Sequence, residues 1–571
     1  MINKNIRKSL LVYLVVTIPL LSQEKPDTTK TETDSTKTKP TIKSLTKGSK
    51  AIGGLFTFFQ DTTNGSVQML IQKKQLNKEF IHFVHTLDGV VDVGHFRGAY
   101  KSSKIFEIRK YFNRVEFIAI NTSYYFDPTN PLSKSSVANI NEPTLVSTEV
   151  LFEDETDGSI LIKADDIFLT ESLYQIKRPP NPNVKPGTRF TLGSLNKKKC
   201  QYFSINNYPL NSDLAIKYVF DNPAPVNRGG PGITDPRSVS LIIQHSIIAV
   251  PNNNYIPRFD DPRVGYFMTQ VTDMTSVSNT PYKDIIHRWN LKKKDPELPI
   301  SEPVKPITFW IENTTPIEFR EAVKEGVLRW NKAFRTAGFK NALQVKTQPD
   351  DADWDAGDIR YNVLRWTSSP RPPFGGYGPS FVNPRTGEIL GADIMLEFVY
   401  FTNRVKYEKI YEELIDNNNL IDNCLAGYYL NQGNQFGFVS SMASSYTDEV
   451  KKRIINESLI RLVLHEVGHT LGLNHNFKSS YLHDNTRVHN KGITQEMGLT
   501  GSVMEYPGVN IAPPEKEQGE YYTTTPGPYD KWAIEFGYST ALENSELENS
   551  RINAILSRST APELSFANDA D

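Results

Sequence analysis

The feature that most constrains this chain is the run His465-Glu466-Val467-Gly468-His469-Thr470-Leu471-Gly472-Leu473-Asn474-His475. Its first two histidines are four residues apart, so on a helix they share one face a single turn from each other. The preceding sequence predicts that helix: from Asp448 onward, Val450, Ile454, Ile455, Leu459, Leu462 and Val463 recur every three to four residues. Two imidazoles aimed at one point from one helix face are the beginning of a zinc site. A glycine at 472 can adopt positive φ, end the helix and turn the chain back so that His475 becomes the third ligand. Three neutral imidazoles leave the fourth position of a single tetrahedral zinc ion to water. Zinc lowers the pKa of that water to about 7, and Glu466 beside it can take the proton and generate hydroxide for attack on a carbonyl. The competing reading is an amphipathic helix with two core histidines. It requires a glycine and a third histidine at these offsets by coincidence, in a chain with only 10 histidines.

The rest of the sequence sets the surroundings of that helix. A length of 571 residues exceeds one ordinary core and predicts at least two units. With 64 basic and 65 acidic residues the chain shows no net basic face, and runs such as Lys197-Lys198-Lys199 are too short for a nucleic-acid footprint. Lys4, Arg7 and Lys8 precede an apolar run from Leu10 to Leu21 that ends in Ser22-Gln23-Glu24. This predicts a cleaved export signal over 1–22. The alternative, a membrane anchor, needs about 20 apolar residues, and this run is shorter and contains Pro19. No second long apolar segment follows, so the mature chain is expected to have no membrane span and to be periplasmic, cell-surface or extracellular. Cys200 and Cys424 are the only cysteines, too few for a disulfide framework, and a single bridge between them stays open.

Composition divides the chain further. Residues 23–50 are Thr, Lys, Ser, Asp and Pro with almost no large apolar side chain, which predicts a disordered tether. From Ala51 short apolar or alternating runs follow, among them Ser66 to Ile71, Val115 to Ile120, Ser159 to Ala164 and Val239 to Ile243. The turn signals Asn64-Gly65 and Asp157-Gly158 precede two of them. A β-rich N-terminal domain is expected over 51–290. The polar, Pro-punctuated stretch 291–305 reads as a linker. Beyond it the pattern becomes strand, helix, strand: Ile307 to Ile311, a helix from Pro316 to about Gly338, then strands at Ala342 to Val345, Ile359 to Trp366 and Ile389 to Glu397. The catalytic unit is expected over 306–540, with 541–571 as a C-terminal tail.

The extended histidine motif resembles the metzincin clan of zinc peptidases, whose second hallmark is a methionine-containing turn that forms an apolar floor beneath the ligands. Ser502-Val503-Met504-Glu505-Tyr506-Pro507 fits that pattern. The resemblance implies that Met504 is the floor. It also implies that Tyr506, two residues on, approaches the metal or stabilises a developing oxyanion, as in astacin-like and serralysin-like members. Asn476, after the third histidine, departs from the acidic residue, Ser or Pro of the best-known groups. The chain is also similar to large secreted metalloproteases of Bacteroidetes, through Asp261 to Phe267, Asn383 to Ala392 and Pro528 to Ile534. Members of that group continue further, so the likeness implies a shortened C-terminal end.

The expected fold class is therefore α+β: a metzincin-type domain, with a twisted mixed sheet and an active-site helix, behind a β-rich N-terminal domain. The expected function is a secreted zinc-dependent endopeptidase acting on proteins or peptides. In the clan a peptide lies against an edge strand that precedes the zinc helix, and Ile389 to Glu397 is the candidate. Gly375-Gly376-Tyr377-Gly378 is a candidate mobile loop near the cleft. Two alternatives stand beside this reading: another zinc hydrolase, such as an amidase or deacetylase, and a surface-binding protein with a vestigial zinc site.

Overall fold

A computed structural model describes residues 40–180, 182–185, 187–368, 376–397, 433–434, 436–437 and 447–569. The export signal at 1–22, most of the 23–50 tether, Gly375 and Cys424 lie outside these residues; Cys200 is buried.

The N-terminal sheet has twelve strands, all antiparallel to their neighbours. It begins at Ser49–Gly53, whose first two residues fall within the segment whose composition predicts a tether, and continues at Thr57–Asp61. There the hydrogen bonds come from pairing with the next strand, and a capping box between Thr41 and Ser44 closes the short helix Ile42–Leu45 before it. The sheet continues through Val67–Ile71, Ile160–Lys163, Thr144–Glu153, Arg114–Ile120, Tyr100–Tyr111, Glu79–Asp88 and Ser238–Ala249 to Asn211–Asp221. Val67–Ile71 alternates buried and half-buried, as one covered face requires. Glu79–Asp88 and Ser238–Ala249 are buried on both faces. One face meets the domain's own core around Phe80, Phe106 and Ile243. The other, through Ile81, Phe83, Ile105 and Ile248, meets Ile359, Phe381 and Leu390 of the second unit.

The second unit is built on parallel strands in the order Leu343–Thr347, Ile307–Ile311, Asn362–Thr367, Glu388–Glu397. The helix predicted from Pro316 to Gly338 is interrupted. It runs over Ile317–Leu328, and a separate turn, Asn331–Phe334, follows the buried Trp330, whose indole N–H donates to Leu464 O at 2.9 Å. Gly338 ends it at φ +85°.

The chain joins the second core earlier than the Pro-rich stretch suggests. Val264, Tyr266, Ile286 and Leu291 belong to the core that holds Trp330 and Met504, and Arg288–Trp289 pairs with Glu388 and Ile389. The 291–305 stretch folds back through bridges Lys293 to Pro303 and Ser301 to Phe339. The 541–571 tail also departs from its expected form. Helix Ser545–Leu556 packs on Pro528–Tyr538, Trp532 Nε1 donates to Ile555 O at 2.8 Å, and Ile555, Leu556 and Leu564 are buried in the same core. These apolar positions are too few and too scattered for periodicity to mark them.

Candidate metal centre

The helix that carries the histidines spans Asp448–Thr470, capped by the Thr447 hydroxyl accepting from Val450 N. From Glu457 to Thr470 every residue is buried, so it is a central helix rather than a surface one. Its buried polar residues are held individually. Glu457 accepts from Arg453 and from Tyr521 N and Tyr522 N, and Arg461 donates to Glu505 O. At the C-terminal end, Trp289 Nε1 donates to Thr470 O and Tyr538 Oη to Leu471 O, both at 2.8 Å, satisfying carbonyls that a helix end leaves without partners.

Gly472 then turns the chain at φ +96°. The turn is held by Asp261 to Phe267: Phe267 N donates to Gly472 O, Asn474 N to Gly265 O, and Asn474 Nδ2 to Tyr266 O at 2.9 Å. It brings His475 back beside His465 and His469. One donor atom from each ring lies within 4.8 Å of the others, the only such cluster of His, Cys, Asp or Glu among the described residues.

The hydrogen bonds fix which nitrogen each ring presents. His465 Nδ1 meets Val503 O at 2.8 Å and His469 Nδ1 meets Leu473 O at 2.9 Å. A carbonyl can only accept, so both Nδ1 atoms carry the proton and both Nε2 lone pairs face the cluster. His475 Nδ1 faces the Asp569 carboxylate, at 2.9 Å from Oδ1. Burial lowers the His469 pKa to about 3 and holds His465 well below its ordinary value, so both rings are neutral at neutral pH. His465 Nε2 is buried without a hydrogen-bond partner. Three imidazoles with anchored Nδ1 atoms, two of them held neutral by burial, fit a zinc ion.

Met504 is fully buried under the helix, and its sulfur occupies the space beside Gly468; a Cβ built there would stand 2.3 Å from Sδ. Tyr506 Oη is 2.7 Å from His475 Nε2, with its ring 5.2 Å from that of His465. The turn that carries them is held by Asp530, which sequence reasoning did not single out as a site residue. Its carboxylate accepts from Ser502 Oγ at 2.6 Å, Val503 N at 2.8 Å and Gly527 N at 2.7 Å. Asp530 therefore supports His465 at one remove, through Val503. Its signal in the sequence was Pro528 followed by an acidic residue in the first turn of a helix.

The cleft edge is not the expected strand. Glu388–Glu397 is interior, with Asn362–Thr367 parallel on one side and Gly376–Tyr377 and Ser380–Val382 antiparallel on the other. The chain reverses at Asn383 to Gly387, where Gly387 has φ +73°, and among the described residues the outer position falls to the segment with Gly376, Tyr377 and Gly378. Gly376 lies over Glu466: a Cβ there would be 2.4 Å from Glu466 Oε1. Glu466 is fully buried. The N-terminal sheet meets this edge further along, where Ser103 Oγ donates to Val382 O at 3.3 Å and Phe83 packs on Phe381.

Residues 447–571 match a family model described as Met-zincin, and residues 101–294 match one described as a domain of unknown function, DUF5117. No curated protein and no solved structure matches the chain. The first match begins at the cap of the metal helix and includes the turn at Met504 and the segment that reaches His475.

Proposed function

With residues 447–571 a metzincin-type zinc peptidase domain, we propose that the chain is an exported zinc endopeptidase, in which His465, His469 and His475 hold one zinc ion and Glu466 is the general base. The observation that carries this is the convergence of three imidazoles, two of them held neutral by burial, beside a buried carboxylate on the helix that bears those two. When bound, the metal supplies a Lewis acid and an acidified water. Glu466 takes the proton of the attacking water and hands it to the departing amine. The Tyr506 hydroxyl, 2.7 Å from His475 Nε2, donates to the oxygen that gains charge as the carbonyl becomes tetrahedral. Met504 packs beneath the ligands as an apolar floor and takes no part in proton transfer.

A peptide is the substrate this site suits. Among the described residues Gly376–Tyr377 is the strand beside Glu466, and the reading places an extended peptide along it in strand fashion. Among the described residues no helix is long and apolar enough to cross a membrane. Export rests on Lys4, Arg7, Lys8 and the apolar run from Leu10 to Leu21.

The test is cleavage of casein by the purified chain, with and without chelator, beside Glu466→Gln. The variant should bind zinc as the parent does and lose roughly 10²- to 10⁴-fold in turnover. Zinc bound by the parent chain with no cleavage of any peptide in a proteome-derived library would overturn the endopeptidase reading.

A further inference from the structure

The third histidine is held differently from the first two. His465 and His469 donate through Nδ1 to backbone carbonyls, whereas His475 Nδ1 faces both oxygens of Asp569, at 2.9 and 3.1 Å. Asp569 lies 94 residues further along the chain, so something must deliver it. Asn476, the residue next to the ligand, does so. Its Nδ2 donates to Ser565 O at 2.9 Å, its Oδ1 accepts from Ala567 N at 3.3 Å, and Phe477 N donates to Ala567 O at 2.9 Å. Between these bonds Phe566 stacks on Tyr529, with ring centroids 5.8 Å apart, and fills the space where a side chain at Gly265 would stand. Asn476 is fully buried.

The chemistry of the clamp explains the residue that occupies it. Pairing with Ser565 O and Ala567 N requires one donor and one acceptor on the same short side chain, and the carboxamide offers both. An ionised aspartate would lose the donor and set a charge against the Ser565 carbonyl. Serine and proline are too short or lack the groups.

We propose that Asp569 is a positioning residue of the metal centre, and that Asn476 is the clamp that holds it there. Accepting from Nδ1–H fixes the tautomer and ring orientation of His475 and makes Nε2 a stronger donor, which a neutral carbonyl does less well. The segment Ser565 to Asp569 is thereby part of the site and not a tail. The inference rests on the zinc reading above.

The experiment is zinc affinity of the full chain, measured by equilibrium competition with a fluorescent zinc chelator, together with the thermal midpoint of the metal-free protein. Asp569→Ala should weaken zinc binding roughly 10- to 100-fold, the usual effect of removing such a partner, and leave the metal-free midpoint unchanged because Asp569 is nearly half exposed. Asp569→Asn keeps an acceptor without the charge and should fall between the two. Asn476→Ala should weaken zinc binding in the same direction, because it frees the segment that carries the carboxylate. An Asp569→Ala protein that binds zinc within about threefold of the parent overturns the proposal, the expected effect being at least tenfold. So does one whose metal-free midpoint drops, since that marks a merely structural role. A parent chain that binds no zinc would instead overturn the zinc reading itself.

Discussion

Replacing Gly472 by alanine tests whether the turn after the metal helix is what assembles the site. The residue stands at φ +96°, and a Cβ there would lie 2.0 Å from His287 O and 3.1 Å from both His287 C and Tyr266 Cδ1. That oxygen cannot swing away. His287 N donates to Phe267 O at 2.8 Å, Phe267 N to Gly472 O at 2.7 Å, and Tyr266 is bridged to Leu473, so the two segments move only together. An L-residue held at left-handed φ costs about 1–2 kcal/mol. Forcing a methyl group into a filled contact costs about 1–3 kcal/mol more. The sum, about 2–5 kcal/mol, is a large part of the 5–15 kcal/mol typical of a domain. The comparison is Gly53→Ala, where φ is not left-handed and no atom stands within 4 Å of an added Cβ. Denaturant midpoints of the chelator-treated proteins should fall much further for Gly472→Ala. In chelator competition that variant should also lose more than about tenfold in zinc affinity, because His475 moves with the turn. Gly53→Ala should keep the parent's midpoint and zinc affinity. A Gly472→Ala protein with the parent's midpoint and zinc affinity would refute this account.

Two further outcomes are expected. Tyr506→Phe removes the hydroxyl 2.7 Å from His475 Nε2, so turnover on casein should fall by roughly 10²-fold with zinc affinity little changed; unchanged turnover would show that the phenol only packs. In the N-terminal sheet, burial lowers the pKa of His245 and His95 to about 3 and of His85 to about 4, and holds His82 well below its ordinary value. Charges facing these rings, Lys104, Arg365, Lys101 and Arg178, push the same way. The fold thus favours neutral rings, while unfolded imidazoles protonate near 6.5. Stability should fall as pH drops from 6.5 toward 4, by up to about 1.4 kcal/mol per pH unit for each ring. Asp213 and Asp393, raised by burial, the latter to about 7, oppose part of this. Denaturant midpoints near pH 7 and pH 5 check the net sign, and a midpoint that rises on acidification would contradict it.

Legibility in the sequence followed the range of the interaction. The helix Asp448–Thr470 and the convergence of its histidines with His475 could be read in advance, because one-turn spacing and a positive-φ glycine are local geometry. The strands Asn362–Thr367 and Glu388–Glu397 could be read as strands, because β-branched and apolar runs report the pleat. Their neighbours could not. Alternation tells which face is covered, never which strand lies alongside, so Ile389 to Glu397 was expected at the edge that, among the described residues, Gly376–Tyr377 and Ser380–Val382 occupy. The same blindness hid the second-core membership of Val264 to Leu291, which follows the β-rich run without any change of composition.

By itself, then, the sequence determined a three-histidine cluster able to hold a metal, its adjacent carboxylate, the helix that carries the first two histidines and the turn that brings in the third, since each depends on residues within a few positions. Tertiary structure alone decided what holds that set in place. Asp530 reaches it through Ser502 and Val503, the Asp261 to Phe267 segment braces Gly472, and Asp569 meets His475 across 94 residues. These are single contacts between distant parts of the chain. They leave no period in the sequence, because only the path of the folded backbone brings their partners within hydrogen-bonding distance.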